Sequence, residues 1–288
     1  MNLPAAAAGT ASLGTLTVRR IGFGAMQLPG PGVFGPPQDR DEALAVVRRA
    51  VELGVDHIDT AQYYGPVVAN ELLREALSPF PDDLVLVSKV GARRDASGAW
   101  LRWNRPEDLR AGVEENLRTL GVDQLGAVNL RVMPGEAGFD EQLDAMVAMR
   151  DEGLIAGVGL SNIDLDQYRT AVARTAIACV QNPLNVVDRT SLPLLRETAE
   201  RGTAFVPFFP LGSAFGGTNQ VLTSPAVAAA ATHLGATPAQ VALAWLLDLA
   251  PTVLVIPGTS SRAHLDDNLG AGAVRLDDEA RRLLESAA

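Results

Sequence analysis

The sequence predicts a single-domain α/β protein built as a (β/α)8 TIM barrel. Three observations lead there. Short β-branched runs alternate with longer amphipathic runs, the rhythm of a parallel sheet wrapped by helices. Eight strand candidates can be picked out, the number that closes such a barrel. The chain has 288 residues, 47% of them hydrophobic, which suffices for one large core. The domain is expected to occupy residues 1–288, with the barrel core at 15–287. A doubly wound sheet is the alternative, and it would usually carry G-x-G-x-x-G after its first strand. Here Gly22-Phe23-Gly24 is followed by Gln27 where the third glycine belongs.

The elements follow in order. A first strand at 20–24 runs into a Pro/Gly-rich loop at 28–37, read as a loop at the top of the barrel and not as an interdomain linker. A helical run at 41–53 leads to a second strand at 55–59. The third and fourth strands, 84–89 and 126–131, flank a helix at 106–120. That helix opens with Pro106, Glu107 and Asp108, which suits a first turn with its free amides and positive end. A helix at 140–151 precedes the fifth strand, 156–161, and the sixth follows at 177–181. A helix at 193–201 precedes the seventh strand, 204–208, and a second glycine-containing loop spans 209–221. A helix at 238–250, an eighth strand at 252–256 and a closing helix at 277–287 complete the pattern.

Charge and cysteine usage exclude several classes. The net charge of −10 argues against general nucleic-acid binding, which wants a basic face. No run of about eighteen apolar residues suggests a membrane span. The alanine-rich start lacks a basic segment before an apolar run, so no signal peptide is read. Cys179, the one cysteine, lies in the apolar run 177–180; it is expected in the core of a cytoplasmic protein. No cluster with metal-ligand spacing is seen. Of the 24 basic residues, Lys89 alone is lysine. Arginine serves wherever a positive charge is enough, so position 89 is read as needing a compact ammonium on a flexible stem.

In a barrel the C-terminal strand ends build the active site. Those ends here carry Met26, Asp59, Lys89, Arg131, Ser161-Asn162, Gln181, Phe208 and Ile256-Pro257. Any one polar residue there is ordinary at the start of a loop. A carboxylate, an ammonium, a guanidinium and amides on one rim point to chemistry. An ammonium beside the Tyr64 phenol would favour its anion and lower its pKa, and Asp59 would supply the buried ammonium with a counter-charge. Together they would form a general acid for a carbonyl oxygen.

Asp59-Thr60-Ala61…Tyr64-Gly65 and Ser88-Lys89-Val90 resemble the catalytic segments of the aldo-keto reductases. Ser161-Asn162, Gln181, Pro210-Leu211-Gly212 and Ile256-Pro257-Gly258-Thr259-Ser260-Ser261 match in the same order, from about Leu16 to the last helix. The resemblance implies Tyr64 as proton donor, Lys89 as its modulator and Asp59 as the partner of Lys89. It places Ser161, Asn162 and Gln181 on the nicotinamide carboxamide of NADPH, and Phe208 where an aromatic stacks on the nicotinamide. Gly24, Met26, Pro210, Leu211, Gly212, Ile256, Gly258 and Thr259 would line the cofactor. Ser260 and Ser261 precede the helical run at 262–269, an anion-binding arrangement. Arg262 and His264 would take the 2′-phosphate, and Asn268 the adenine end. Tyr63 is the rival donor; the family pattern favours the tyrosine before glycine.

Two positions depart from the family. Many relatives carry a basic residue where Gly258 stands, and most have histidine where Arg131 ends the fourth strand. A permanent cation there can hydrogen-bond a carbonyl oxygen or a phosphate-like group but cannot cycle a proton. Arg131 is therefore counted with the catalytic residues, a structural ion-pair role being the lesser alternative. With the segments Gly91-Ala92-Arg93-Arg94, 129–133 and 206–212, this resembles the pyridoxal reductase branch of the family. The expected substrate is a small aldehyde, pyridoxal above all. A broad aldehyde or ketone reductase, or a cofactor-binding regulatory protein like the potassium-channel β-subunits of this family, remain open alternatives. Arg93, Arg94, Trp100, Trp103 and Met133 are placed on loops near the strand ends, within reach of substrate.

Overall fold

A β-hairpin, β1 (Thr10–Leu13) and β2 (Leu16–Arg19), opens the fold in a computed structural model that describes residues 3–133, 135, 137–212 and 219–287. Leu13 pairs with Leu16, so Gly14-Thr15 forms a two-residue turn. Leu13 and Val18 join one apolar cluster with residues inside the strands, among them Ala127, Ala178, Cys179, Ala204 and Leu254. The hairpin thus stoppers the end of the barrel where strands begin. The sequence reading began the core at residue 15 and did not anticipate this floor, although Leu-Gly-Thr-Leu between short alternating runs is a hairpin signal.

The parallel strands are β3 (Phe23–Gly24), β4 (His57–Asp59), β5 (Val85–Arg94), β7 (Ala127–Arg131), β8 (Val158–Ser161), β9 (Ile177–Gln181) and β10 (Ala204–Phe205). They neighbour one another in chain order, each pair parallel. Closure comes from residues 252–256: Val253 bridges Phe205 and Val255 bridges Ile21, both in parallel sense. The amides of Gly22 and Leu254 donate to Val255 and Phe205 carbonyls at 2.9 and 3.0 Å. The expected eighth strand therefore exists as alternate bridges to both neighbours and not as a continuous ladder. The seventh stops short of residue 208 because Pro207 has no amide to donate; Phe208 continues it with a single bridge to Pro183.

Ten helices surround the sheet among the described residues: α1 (Arg40–Glu52), α2 (Val68–Leu77), α3 (Pro106–Leu120), α4 (Phe139–Asp151), α5 (Leu165–Val172), α6 (Leu192–Glu200), α7 (Pro225–Leu234), α8 (Pro238–Leu249), α9 (Arg262–Gly270) and α10 (Asp278–Glu285). Their starts follow local chemistry. The Asp39, Asp164, Thr237 and Asp277 side chains each accept a first-turn amide. One expectation is corrected. The third strand does not end at Lys89; it runs to Arg94 and pairs antiparallel with β6 (Trp100–Trp103). Arg93, Arg94, Trp100 and Trp103 therefore stand on a hairpin, not on loops. Of the loop expected at 209–221, residues 213–218 lie outside the described ones.

Candidate active site

The ammonium of Lys89, on β5, donates to Asp59 Oδ1 at the end of β4 and to the Thr60 carbonyl at 3.0 Å. The second Asp59 oxygen accepts from Gln181 Nε2, at the end of β9, at 3.0 Å. All three side chains are buried. A buried carboxylate is tolerable because an ammonium and an amide satisfy it. Lys89 Nζ also sits 4.9 Å from the centroid of the Tyr64 ring. A cavity of about 380 Å³ opens over this group.

The cavity collects most of what the sequence proposed. Asp59, Tyr64, Lys89 and Arg131 line it, as do Gly24, Met26, Ser161, Asn162, Gln181 and Phe208. Pro210, Leu211, Gly212, Ile256 and Gly258 complete the same wall. Thr259, Ser260, Ser261, Arg262, His264 and Asn268 are not on that lining; they follow it into α9. Gln27, Phe209 and Asn219 line it too and were not foreseen. Nothing local distinguishes them, since isolated loop amides and a second phenylalanine carry no periodicity.

The phenol electrostatics differ from the expectation. Burial pushes the Tyr64 phenol well above its ordinary value, and the Asp59 carboxylate pushes it the same way, while Arg131 pulls it down. Lys89 was expected to lower it. Instead the ammonium is turned onto Asp59 and Thr60, so at the phenol its charge is offset by the carboxylate it neutralises. Tyr63 stands edge-on to Tyr64 with ring centroids 5.4 Å apart, and burial likewise pushes its phenol up. Its hydroxyl is buried without a hydrogen-bond partner.

A polar network behind the strands holds these groups in place. Thr60 Oγ1 donates to Asn70 Oδ1 on α2 at 2.8 Å. Asn70 Nδ2 donates to Asn116 Oδ1 on α3 at 2.9 Å. Asn116 Oδ1 also accepts from Ser88 Oγ at 2.7 Å, and its Nδ2 donates to Gln62 Oε1 at 3.0 Å. A residue beside each member of the ion pair, Thr60 after Asp59 and Ser88 before Lys89, is thereby tied to the helix layer. Asn70 and Asn116 were missed by the sequence reading; asparagines on otherwise apolar helix faces were the available signal.

The wall fits a nicotinamide ring. Gln181 Oε1 is buried and has no partner, although its Nε2 is engaged by Asp59. An unpaired amide oxygen on the cavity wall is an acceptor for a carboxamide N–H. Asn162 adopts a left-handed backbone with φ 58°, a conformation that asparagine tolerates better than most. At Gly258 a Cβ would lie 2.5 Å from the Gly24 carbonyl oxygen, so any side chain there would force first strand and last loop apart. At α9 the Ser261 hydroxyl accepts from the His264 amide at 3.5 Å. The Arg262 guanidinium pairs with Glu42 at 2.9 Å, and Glu42 Oε1 also accepts the Arg262 amide at 3.2 Å. The arginine expected at a phosphate thus shares its reach with a carboxylate from α1.

Arg131 ends β7, with its guanidinium 4.9 Å from the Trp100 ring centroid and 5.9 Å from that of Tyr63. Among the described residues it forms no ion pair, so aromatic faces and not a carboxylate surround it. Gly91, with φ 107°, passes so close that a Cβ would meet the Arg131 carbonyl oxygen at 2.5 Å. The absent side chain is what lets the β5–β6 hairpin close over this corner.

Comparison with known proteins agrees with the geometry. The Aldo/keto reductase family profile matches residues 20–288. Pyridoxine 4-dehydrogenase of Escherichia coli K12 is 47% identical over 282 residues, covering 96% of this chain and 97% of that protein. An uncharacterized oxidoreductase of Schizosaccharomyces pombe is 36% identical, covering 96% and 88%. An aldo/keto reductase from Klebsiella pneumoniae, solved with NADP and acetate, superposes with a TM-score of 0.80 at 26% identity, covering 96% and 94%.

Proposed function

The chain belongs to the aldo/keto reductase family, and from that premise we propose that it uses NADPH to reduce the aldehyde of pyridoxal to the alcohol of pyridoxine. It is an oxidoreductase of that family, acting on a small-molecule carbonyl. The observation that carries the reading is the Tyr64 phenol beside the Lys89–Asp59–Gln181 chain, facing one cavity. NADPH, when bound, supplies the hydride that the carbonyl carbon receives. Tyr64 places its proton on the carbonyl oxygen. A phenol held neutral by burial carries that proton throughout the physiological range, and the alkoxide forming opposite it is the stronger base. Lys89 and Asp59 fix the floor beneath the phenol. Gln181 Oε1, Ser161 and Asn162 orient the nicotinamide, and the Phe208 face backs it. Pyridoxal is preferred as substrate because the relative with the higher identity is a pyridoxine 4-dehydrogenase. A reducing compartment, the cytoplasm, suits a chain whose one cysteine is buried and free.

The test is an initial-rate screen of NADPH and NADH against pyridoxal and a panel of small aldehydes. Pyridoxal should lead the panel with NADPH. Equal rates on all aldehydes would remove the pyridoxal assignment and leave a broad carbonyl reductase. Cofactor binding without turnover on any aldehyde would remove the enzyme reading and favour a regulatory role.

A further inference from the structure

We propose that Arg131 determines specificity by binding an ionised hydroxyl on the ring carbon next to the aldehyde, so that the preferred substrates are aromatic aldehydes with an acidic ortho hydroxyl. The inference rests on the reductase reading above and names the feature of the substrate that this site recognises.

The other charged groups on the cavity wall are already engaged. Asp59 is satisfied by Lys89 and Gln181, and the Lys89 ammonium is held by Asp59 and Thr60. Arg131 stands on the same wall with a different environment. Cations and rings alternate there: Phe34, Arg94, Trp100, Arg131 and Tyr63. The steps are 5.4 Å from Arg94 to Phe34, 4.4 Å from Arg94 to Trp100, 4.9 Å from Arg131 to Trp100 and 5.9 Å from Arg131 to Tyr63. Ring faces orient a guanidinium without neutralising it. Among the described residues no carboxylate pairs with Arg131, so its donors remain available to an anion in the cavity.

A neutral carbonyl oxygen beside Tyr64 needs a proton donor and little more. A permanent cation with a planar fork of donors is matched by an anion. Tyr63 links the two groups, edge-on to Tyr64 and beneath Arg131. The Arg131 charge also reaches the Tyr64 phenol, so a group bound to Arg131 lies on the same side of the cavity as the carbonyl that Tyr64 protonates. The ring hydroxyl of pyridoxal meets both conditions. It is adjacent to the aldehyde, and it ionises readily because the ring nitrogen holds a proton. One Arg131 N–H on that oxygen would fix which way the aldehyde turns and present its oxygen to Tyr64.

The experiment uses a minimal substrate pair, 3-hydroxypyridine-4-carbaldehyde and pyridine-4-carbaldehyde, with wild type, Arg131→Met and Arg131→Lys. The ratio of kcat/KM between the two aldehydes is read, so that any loss of turnover common to both cancels. Wild type should favour the hydroxylated aldehyde about 10- to 100-fold, the range of a hydrogen bond between charged groups. Arg131→Met should bring the ratio near one, and Arg131→Lys should leave it in between. NADPH fluorescence quenching verifies that each variant is folded. If Arg131→Met is too slow, the same ratio is taken from inhibition by the two corresponding alcohols. A wild-type ratio near one, or a ratio unchanged in Arg131→Met, overturns the proposal while reduction of the plain aldehyde still upholds the reductase reading. Pyridoxal 5′-phosphate in place of pyridoxal provides a further arm. A phosphate preference that disappears in Arg131→Met would assign the arginine to the phosphate and overturn the hydroxyl. No reduction of either aldehyde by wild type would instead strike the reductase reading itself.

Discussion

The two ends of one barrel solve opposite problems with the same strands. At the floor, Leu13 and Val18 from the hairpin meet Ala127, Ala178, Cys179, Ala204 and Leu254, and the cluster is apolar. At the mouth stand Asp59, Arg131 and Gln181, each the last residue of its strand, and Lys89 within β5. The floor is sealed by burying hydrocarbon, which is non-directional and tolerant of detail. The mouth depends on individual polar atoms with assigned partners, where one missing group leaves another buried and unsatisfied. Stability should therefore be concentrated below and rate above, with Lys89 the residue that serves both.

Replacing Tyr64 by Phe tests the upper end most directly. It should lower kcat/KM by about 10²- to 10⁴-fold, the usual contribution of a placed general acid. NADPH quenching and the urea midpoint should stay close to wild type. Because burial raises the Tyr64 phenol, its protonated form persists as pH rises, so wild-type reduction of a non-ionising aldehyde should show no alkaline loss below about pH 10, the ordinary phenol value. A loss centred near neutrality would identify a different donor.

Lys89 tests whether the two ends are separable. Lys89→Met leaves Asp59 buried with the Gln181 amide and no cation, and should cost about 3–5 kcal/mol in urea unfolding. Lys89→Arg keeps the charge but not the shape, and should still lose about 100-fold or more in rate, since a planar fork does not reproduce one compact ammonium between a carboxylate and a carbonyl. Wild-type kinetics in the arginine variant would detach the lone lysine from function.

At the floor, Leu13→Ala should cost about 2–5 kcal/mol, as truncation of a buried leucine does, with kcat at 25 °C unchanged. A fall in kcat would mean that the hairpin communicates with the mouth. The smallest effect belongs at the rim. Glu42→Gln releases Arg262 from an exposed pair and should shift preference toward NADPH over NADH by about threefold, a change the size of one exposed ion pair. An unchanged cofactor ratio would remove Arg262 from the 2′-phosphate.

Much of the molecule was legible in the chain. The βα rhythm marked all eight strand positions of the barrel, and the polar residues that interrupt those runs at their ends proved to share one cavity. What escaped were features with no period of their own. The β1–β2 floor is only eight strand residues long, and the β5–β6 hairpin extends a strand past the point where its apolar alternation stops.

The sequence by itself determined the barrel, the one lysine at position 89 and the arginine at position 131, because periodicity and residue identity are local properties of the chain. The tertiary structure alone decided where each charge is directed. Lys89 faces Asp59 and not the Tyr64 oxygen, Arg262 shares Glu42, and Arg131 rests among aromatic rings. Those partners lie up to 220 residues apart in the chain. Electrostatic effects fall off with distance in space and depend on what is buried between the groups, and neither can be read from order along a sequence.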